Sequence, residues 1–152
     1  DKVIVINDGI IQQVGHPMDI YRHPANQFVA AFVGKIDFIK GVSENGKIAV
    51  TGTDQVIDYD GEIKGEVVVA IRPESIHLCK EGGKLSGVLD NKTFMGDVND
   101  CYVRLPNGKG VRVIAPPETY DEYEIGDPIC IDFNTFHVYE DDGTDAATKI
   151  VT

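Results

Sequence analysis

A chain of 152 residues, 42% of them apolar, is long enough to bury one sizeable core without disulfides or metals. Its formal charge of −11 repels nucleic-acid phosphates, and no apolar run approaches the length of about 18 residues that a membrane span needs. Cys79, Cys101 and Cys130 are odd in number and widely separated, which argues against a disulfide framework and for buried packing thiols in a reducing compartment.

Val3-Ile4-Val5-Ile6 is β-branched without polar alternation, the pattern of a strand covered on both faces inside a larger sheet. Asn7-Asp8-Gly9 tolerates positive φ, and Ile10-Ile11-Gln12-Gln13-Val14 returns as the second strand of a hairpin. Pro17 opens a short helix through Tyr21 and Arg22, with Asp19 near its positive end. Pro24 opens another, in which Ala25, Phe28, Val29, Phe32 and Val33 make one apolar face and Gly34 takes the left-handed cap. His16 and His23 precede the two prolines and are expected as N-caps. An apolar strand and an apolar helix face so near the start need neighbours, so this segment reads as the end of a domain whose beginning is missing.

After Gly34 the helical period gives way to short alternating segments punctuated by Gly, Asn, Asp and Pro. Strands are predicted at 38–42, 47–51, 55–59, 67–71, 85–94, 99–105, 110–114, 128–133 and 136–139, at the spacing of a barrel or sandwich. Cys101, Val103 and Leu105 are expected to face inward, as are Ile129, Ile131 and Phe133. The tail 140–152 is expected to fray. Residues 1–35 hold three basic and three acidic side chains, whereas 36–152 hold eleven and twenty-two, so all the excess acidity lies in the second part.

Several motifs fail on their chemistry. Gly41-Val42-Ser43-Glu44-Asn45-Gly46-Lys47-Ile48 fits a phosphate loop until Ile48, where Ser or Thr must hold magnesium, and the following residues continue as a strand instead of a helix. The acidic turns around Gly61 and Gly143 miss the calcium-loop ligands at both ends. His16, His23, His77 and His137 lack zinc spacing, and no Ser, His and acid set or activated Cys is evident. Asn91-Lys92-Thr93 is a glycosylation sequon that a cytosolic chain would not use.

Asp1, Gly9, Gln13, Gly15, Pro17, Ile20, Tyr21, Pro24, Phe28, Val29, Ala30, Phe32 and Gly34 resemble the segment that closes the nucleotide-binding domain in ATPase subunits of ABC importers of the maltose, polyamine and ferric-iron type. Phe38-Ile39-Lys40-Gly41 resembles the first strand of the transport-associated OB (TOBE) domain that follows, although the family usually has Asn where this chain has Asp37. Ile71-Arg72-Pro73-Glu74 resembles the IRPE motif of that domain, and Gly87-Val88 with Met95-Gly96-Asp97 resembles its later strand and turn.

The resemblance implies a mainly β fold: an OB-like β-barrel (TOBE) region over 36–152, preceded by a β-hairpin and two short helices that are the remnant of an ABC ATPase domain over 1–35. It implies an accessory domain that supports dimerisation and regulates transport, with no catalytic, cofactor or metal residue of its own. ATP and Mg then belong to the parent ATPase. The implied partners are a second ATP-binding subunit and the transmembrane permease, at the inner face of the membrane and without nucleic acid. Polyamine or ferric iron is favoured slightly over sugar as the solute.

Arg72, Pro73 and Glu74, an exposed-looking cluster after an apolar strand, are candidates for interdomain or dimer contact, or else a simple ion pair at a strand end. Gly96 and Asp97 are candidates for the same contact, or else a plain turn. The alternative from the residues alone is a free-standing OB-type module binding a small anion or single-stranded nucleic acid through Arg104, Lys109 and Arg112, with Tyr102 for stacking.

Overall fold

The computed structural model describes residues 1–143, so the expected fraying of the tail from residue 144 onward lies outside the described residues. The described residues divide into two compact units, Asp1–Ile36 with 141–143, and Asp37–Glu140.

In the first unit, β1 (Val3–Asn7) and β2 (Ile10–Gly15) form an antiparallel hairpin. Asp8 (φ 51°) and Gly9 (φ 77°) supply the two positive φ values that a two-residue loop needs to follow the twist of its strands. Val5 packs on Ile20 of α1 (Pro17–Arg22) and Val29 of α2 (Gln27–Phe32), with Phe28 and Val33 beside them. The opposite face of the hairpin is open. Ile4 pairs across to Val14 and Ile6 to Ile11, and these four side chains are 55%, 48%, 54% and 59% exposed. A strand expected to be covered on both faces is therefore covered on one, because a two-stranded sheet has helices on one side only.

The second helix begins three residues later than expected from Pro24. The Gln13 amide oxygen accepts the Ala25 N–H (2.8 Å) and its Nε2 donates to the His23 carbonyl (3.0 Å), so the hairpin holds this stretch out of the helix. Asn26 then caps α2, its side chain accepting the Val29 N–H at 2.9 Å. His23 is consequently the C-cap of α1, not an N-cap. His16 does occupy the N-cap position of α1, but its side chain makes no capping bond and its Nδ1 lies 2.8 Å from the Asp1 carbonyl oxygen. The C-cap of α2 is Val33, in helical geometry, its N–H donating to the Val29 carbonyl.

The second unit is all but entirely β. One five-stranded sheet contains, in spatial order, β10 (Gly110–Ala115), β9 (Asn99–Arg104), β8 (Leu85–Phe94), β11 (Pro128–Asp132) and β7 (His77–Cys79). The other contains β12 (His137–Glu140), β6 (Gly65–Ile71), β3 (Asp37–Glu44), β4 (Lys47–Val50) and β5 (Val56–Asp58). The hydrogen-bonded ladders do not close into one ring, yet both sheets contribute to a single core that includes Ile39, Ile48 and Val69 from one and Leu85, Val103, Val113 and Ile131 from the other. Each expected strand is present, that at 85–94 with the expected bounds and the others with one or both ends shifted, and both predicted inward faces are buried. Three short elements were not foreseen: β7, α3 (Thr119–Glu122) and a 3₁₀ turn (Pro73–Ser75). They are too brief to carry a period.

Residues 41–48 form the β3–β4 hairpin. Asn45 (φ 53°) and Gly46 (φ 77°) make its turn between the paired Glu44 and Lys47, so no helix N-terminus is available there for a phosphate.

Candidate functional site

Arg72-Pro73-Glu74 is where the chain changes sheets, β6 belonging to one and β7 to the other. Proline has no N–H to give the ladder, so β6 stops at Ile71 and the 3₁₀ turn follows, closed by Ser75 N–H donating to the Arg72 carbonyl at 2.9 Å. The turn packs against β10. Arg72 is only 8% exposed and Pro73 is buried, so the cluster that looked exposed in the sequence presents Glu74 alone to solvent. Burial pushes the Tyr139 hydroxyl up to about 12, with the Arg72 charge acting in the opposite sense.

Beside this turn stands a residue that sequence reasoning noted only as a departure from a pattern. Asp37, 7% exposed, opens β3, and its Oδ1 accepts the backbone N–H of Arg112 on β10 at 2.8 Å. One carboxyl thereby joins the two sheets. Its other oxygen is buried without a hydrogen-bond partner. Burial pushes the Asp37 carboxyl up to about 7; the Arg112 N–H and the Lys109 and Arg112 charges oppose this, and Glu74 adds to it. The Arg112 guanidinium turns to Asp100 on β9, donating through Nε at 3.0 Å and Nη2 at 2.7 Å in a two-pronged pair.

Gly96 and Asp97 lie exposed in the turn between β8 and β9, where Met95 N–H donates to the Val98 carbonyl at 2.9 Å. Phe94 and Met95 are also exposed, and Phe94 meets Tyr120 edge-to-face at 5.8 Å. Lys92 pins the neighbouring α3 segment, donating to the carbonyls of Tyr120 (2.7 Å) and Tyr123 (2.9 Å) with its ammonium 4.1 Å above the Tyr120 ring. The Asn99 amide nitrogen donates to the Thr119 hydroxyl at 3.0 Å. The two groups of candidate contact residues thus sit on different connections, one between sheets and one within a sheet.

Two of the three cations of the alternative groove are engaged elsewhere, Arg104 pairing with Asp90 and Arg112 with Asp100. Among the described residues, no three His, Cys, Asp or Glu side chains gather as metal ligands.

Residues 69–139 match the model of the TOBE domain. The chain carries a TOBE domain and is homologous to ATP-binding subunits of ABC importers. A spermidine/putrescine import ATP-binding protein of Aster yellows witches'-broom phytoplasma is 36% identical over 92% of this chain and 34% of its own length. An Fe(3+) ions import ATP-binding protein of Fusobacterium nucleatum is 34% identical over 75% of the chain and 32% of its own length. The chain therefore spans about a third of the length of these curated relatives. A solved structure of a cytoplasmic molybdate-binding protein with molybdate bound shares the fold, with a TM-score of 0.53 at 15% identity over 68% of this chain and 95% of that one. The TOBE match runs from within β6 through β12 and so includes the sheet-changing turn and the Gly96-Asp97 turn.

Proposed function

We propose that this chain is the C-terminal portion of the ATP-binding subunit of an ABC-type solute importer. In this reading residues 1–35 close the nucleotide-binding domain, and 36–152 form an accessory domain that pairs with its counterpart in a second subunit and regulates ATP-driven transport. The observation that carries it is a TOBE domain over 69–139 inside a chain that is 30–36% identical to import ATP-binding proteins over 75–92% of its length. The names of those relatives favour a polyamine or ferric iron as solute.

The open apolar face of β1–β2 supports the first half of the proposal, since an exposed patch of β-branched side chains invites cover. We assign that cover to preceding residues of the same subunit, the relatives being about three times as long as this chain. ATP and magnesium fall to that ATPase part, the hairpin at 41–48 having no helix N-terminus to hold them. The permease subunits hold the complex at the inner face of the membrane. For contact with the second subunit we assign Glu74, Gly96 and Asp97, with Arg72 and Pro73 shaping the turn that carries Glu74. The anion-binding or nucleic-acid alternative is not adopted, because the guanidiniums it needs are already paired with Asp90 and Asp100.

The test is size-exclusion chromatography with light scattering and a transport assay on the whole subunit, intact and lacking residues 36–152. Loss of dimerisation and of regulation on truncation is the expected result. A truncated subunit that dimerises and is regulated as before overturns the proposal.

A further inference from the structure

Two of the three cysteines, far apart in the sequence, are neighbours in the fold. Cys130 of β11 stands directly opposite Cys79 of β7 in an antiparallel pair. Residues in that relation have Cα atoms roughly 4.5–5.5 Å apart, inside the span a disulfide bridges. Both cysteines are partly exposed, and neither is in a disulfide. We propose that Cys79 and Cys130 are a reversible dithiol–disulfide site, closed by exchange with a small-molecule disulfide and reopened by a small thiol.

Gly83 supplies an independent geometric reason. A Cβ at this position would lie 2.6 Å from the Ile131 carbonyl oxygen, 2.8 Å from the Cys130 Cβ and 2.9 Å from the Cys79 Sγ, so the backbone passes against the pair and any larger residue would press on it. The hydrogen bonds of the Cys130 sulfur are weak ones, to the Lys80 carbonyl at 3.8 Å and the Ser86 hydroxyl at 3.7 Å, and leave it able to turn to its neighbour. Cys101 is a built-in control: it is fully buried on β9 and donates to the Asn99 carbonyl at 3.8 Å.

The exchange balances in two steps. One cysteine loses its proton, its thiolate attacks a sulfur of the reagent RSSR, the reagent's S–S bond breaks and RS⁻ leaves, giving a mixed disulfide. The second cysteine loses its proton and attacks the protein-bound sulfur, forming the Cys79–Cys130 bond and expelling the second RS⁻; the two protons end on the two thiols, and two electrons pass from the pair to the reagent. Burial first, then Cys130 and the Asp132 carboxylate, push the Cys79 thiol up, and Asp132 is itself held by Lys84 at 3.3 Å. The thiolate is the attacking species, so closure is slow at neutral pH and quickens as pH rises. The bond ties down β7, a three-residue strand at the edge of its sheet.

The native chain is incubated with oxidised glutathione at mildly alkaline pH, with circular dichroism confirming that it stays folded, and is analysed by intact mass and peptide mapping. The expected product has lost two hydrogens, has Cys79 linked to Cys130, retains Cys101 as a free thiol and reverts with reduced glutathione. The single variants Cys79→Ser and Cys130→Ser are expected to stop at the glutathione adduct. Separate adducts on both cysteines of the native chain, a link to Cys101, or a bond that forms only after unfolding each overturn the proposal.

Discussion

Asp37 shows how much one side chain can carry in this fold. Its Oδ1 ties the start of β3 to Arg112 on the other sheet while its Oδ2 is buried without a partner. The folded value of about 7 lies above the ordinary 3.8, so the folded state binds this proton more tightly than the unfolded chain. The resulting stabilisation is complete below the ordinary value and is lost as pH rises toward the folded one. Asp37→Asn keeps an acceptor for the Arg112 N–H and removes the charge. Calorimetry across about pH 4 to 8 is expected to show the wild type losing melting temperature over a range where the variant stays nearly level; the difference is at most about 4 kcal/mol, from roughly 1.4 kcal/mol per pH unit. Parallel curves for the two proteins would show that this carboxyl does not govern the pH response.

Among the elements, α2 depends on tertiary neighbours more than on its own sequence. It is six residues long, shorter than helices that persist alone in water, and it starts where Asn26 can cap it. Asn26 also donates to the Gln12 side chain at 2.9 Å, which couples the cap to β2. Asn26→Ala is expected to destabilise the first unit by about 1 kcal/mol, within the usual range for a lost cap. Amide exchange in α2 should quicken while that of β6 and β9 is unchanged. If the α2 amides exchange at the wild-type rate, the cap is not what fixes this helix.

For the whole molecule, the contrast between the units is the informative property. The Asp37–Glu140 unit encloses its core between two sheets, whereas the hairpin of the first unit turns Ile4, Ile6, Ile11 and Val14 outward. In a chain taken without a covering partner, that face is expected to drive self-association and dye binding. Replacing the cross-strand pair Ile6 and Ile11 by Thr keeps β-branching and removes much of the apolar surface. Sedimentation and the fluorescence of an apolar dye should both fall toward monomer values. In the complete subunit the same pair of substitutions is expected to lower stability instead, because there the face is assigned to the interior. Equal behaviour of wild type and variant in both settings would count against a covered role for this face.

Local sequence was sufficient for the hairpin of β1 and β2, for the Asn45-Gly46 turn and for the inward faces of β9 and β11, since turn chemistry and a period of two act over a few residues. It was also enough to raise the TOBE resemblance through Ile71-Arg72-Pro73-Glu74. Tertiary structure alone decided that Arg72 is buried, that Gln13 delays α2, that Asp37 meets the Arg112 backbone, and that Cys79 faces Cys130. Each of these depends on two segments brought together by sheet register or sheet packing. Burial, pKa and thiol pairing are set by that distant neighbour, and no residue's own surroundings in the sequence contain it.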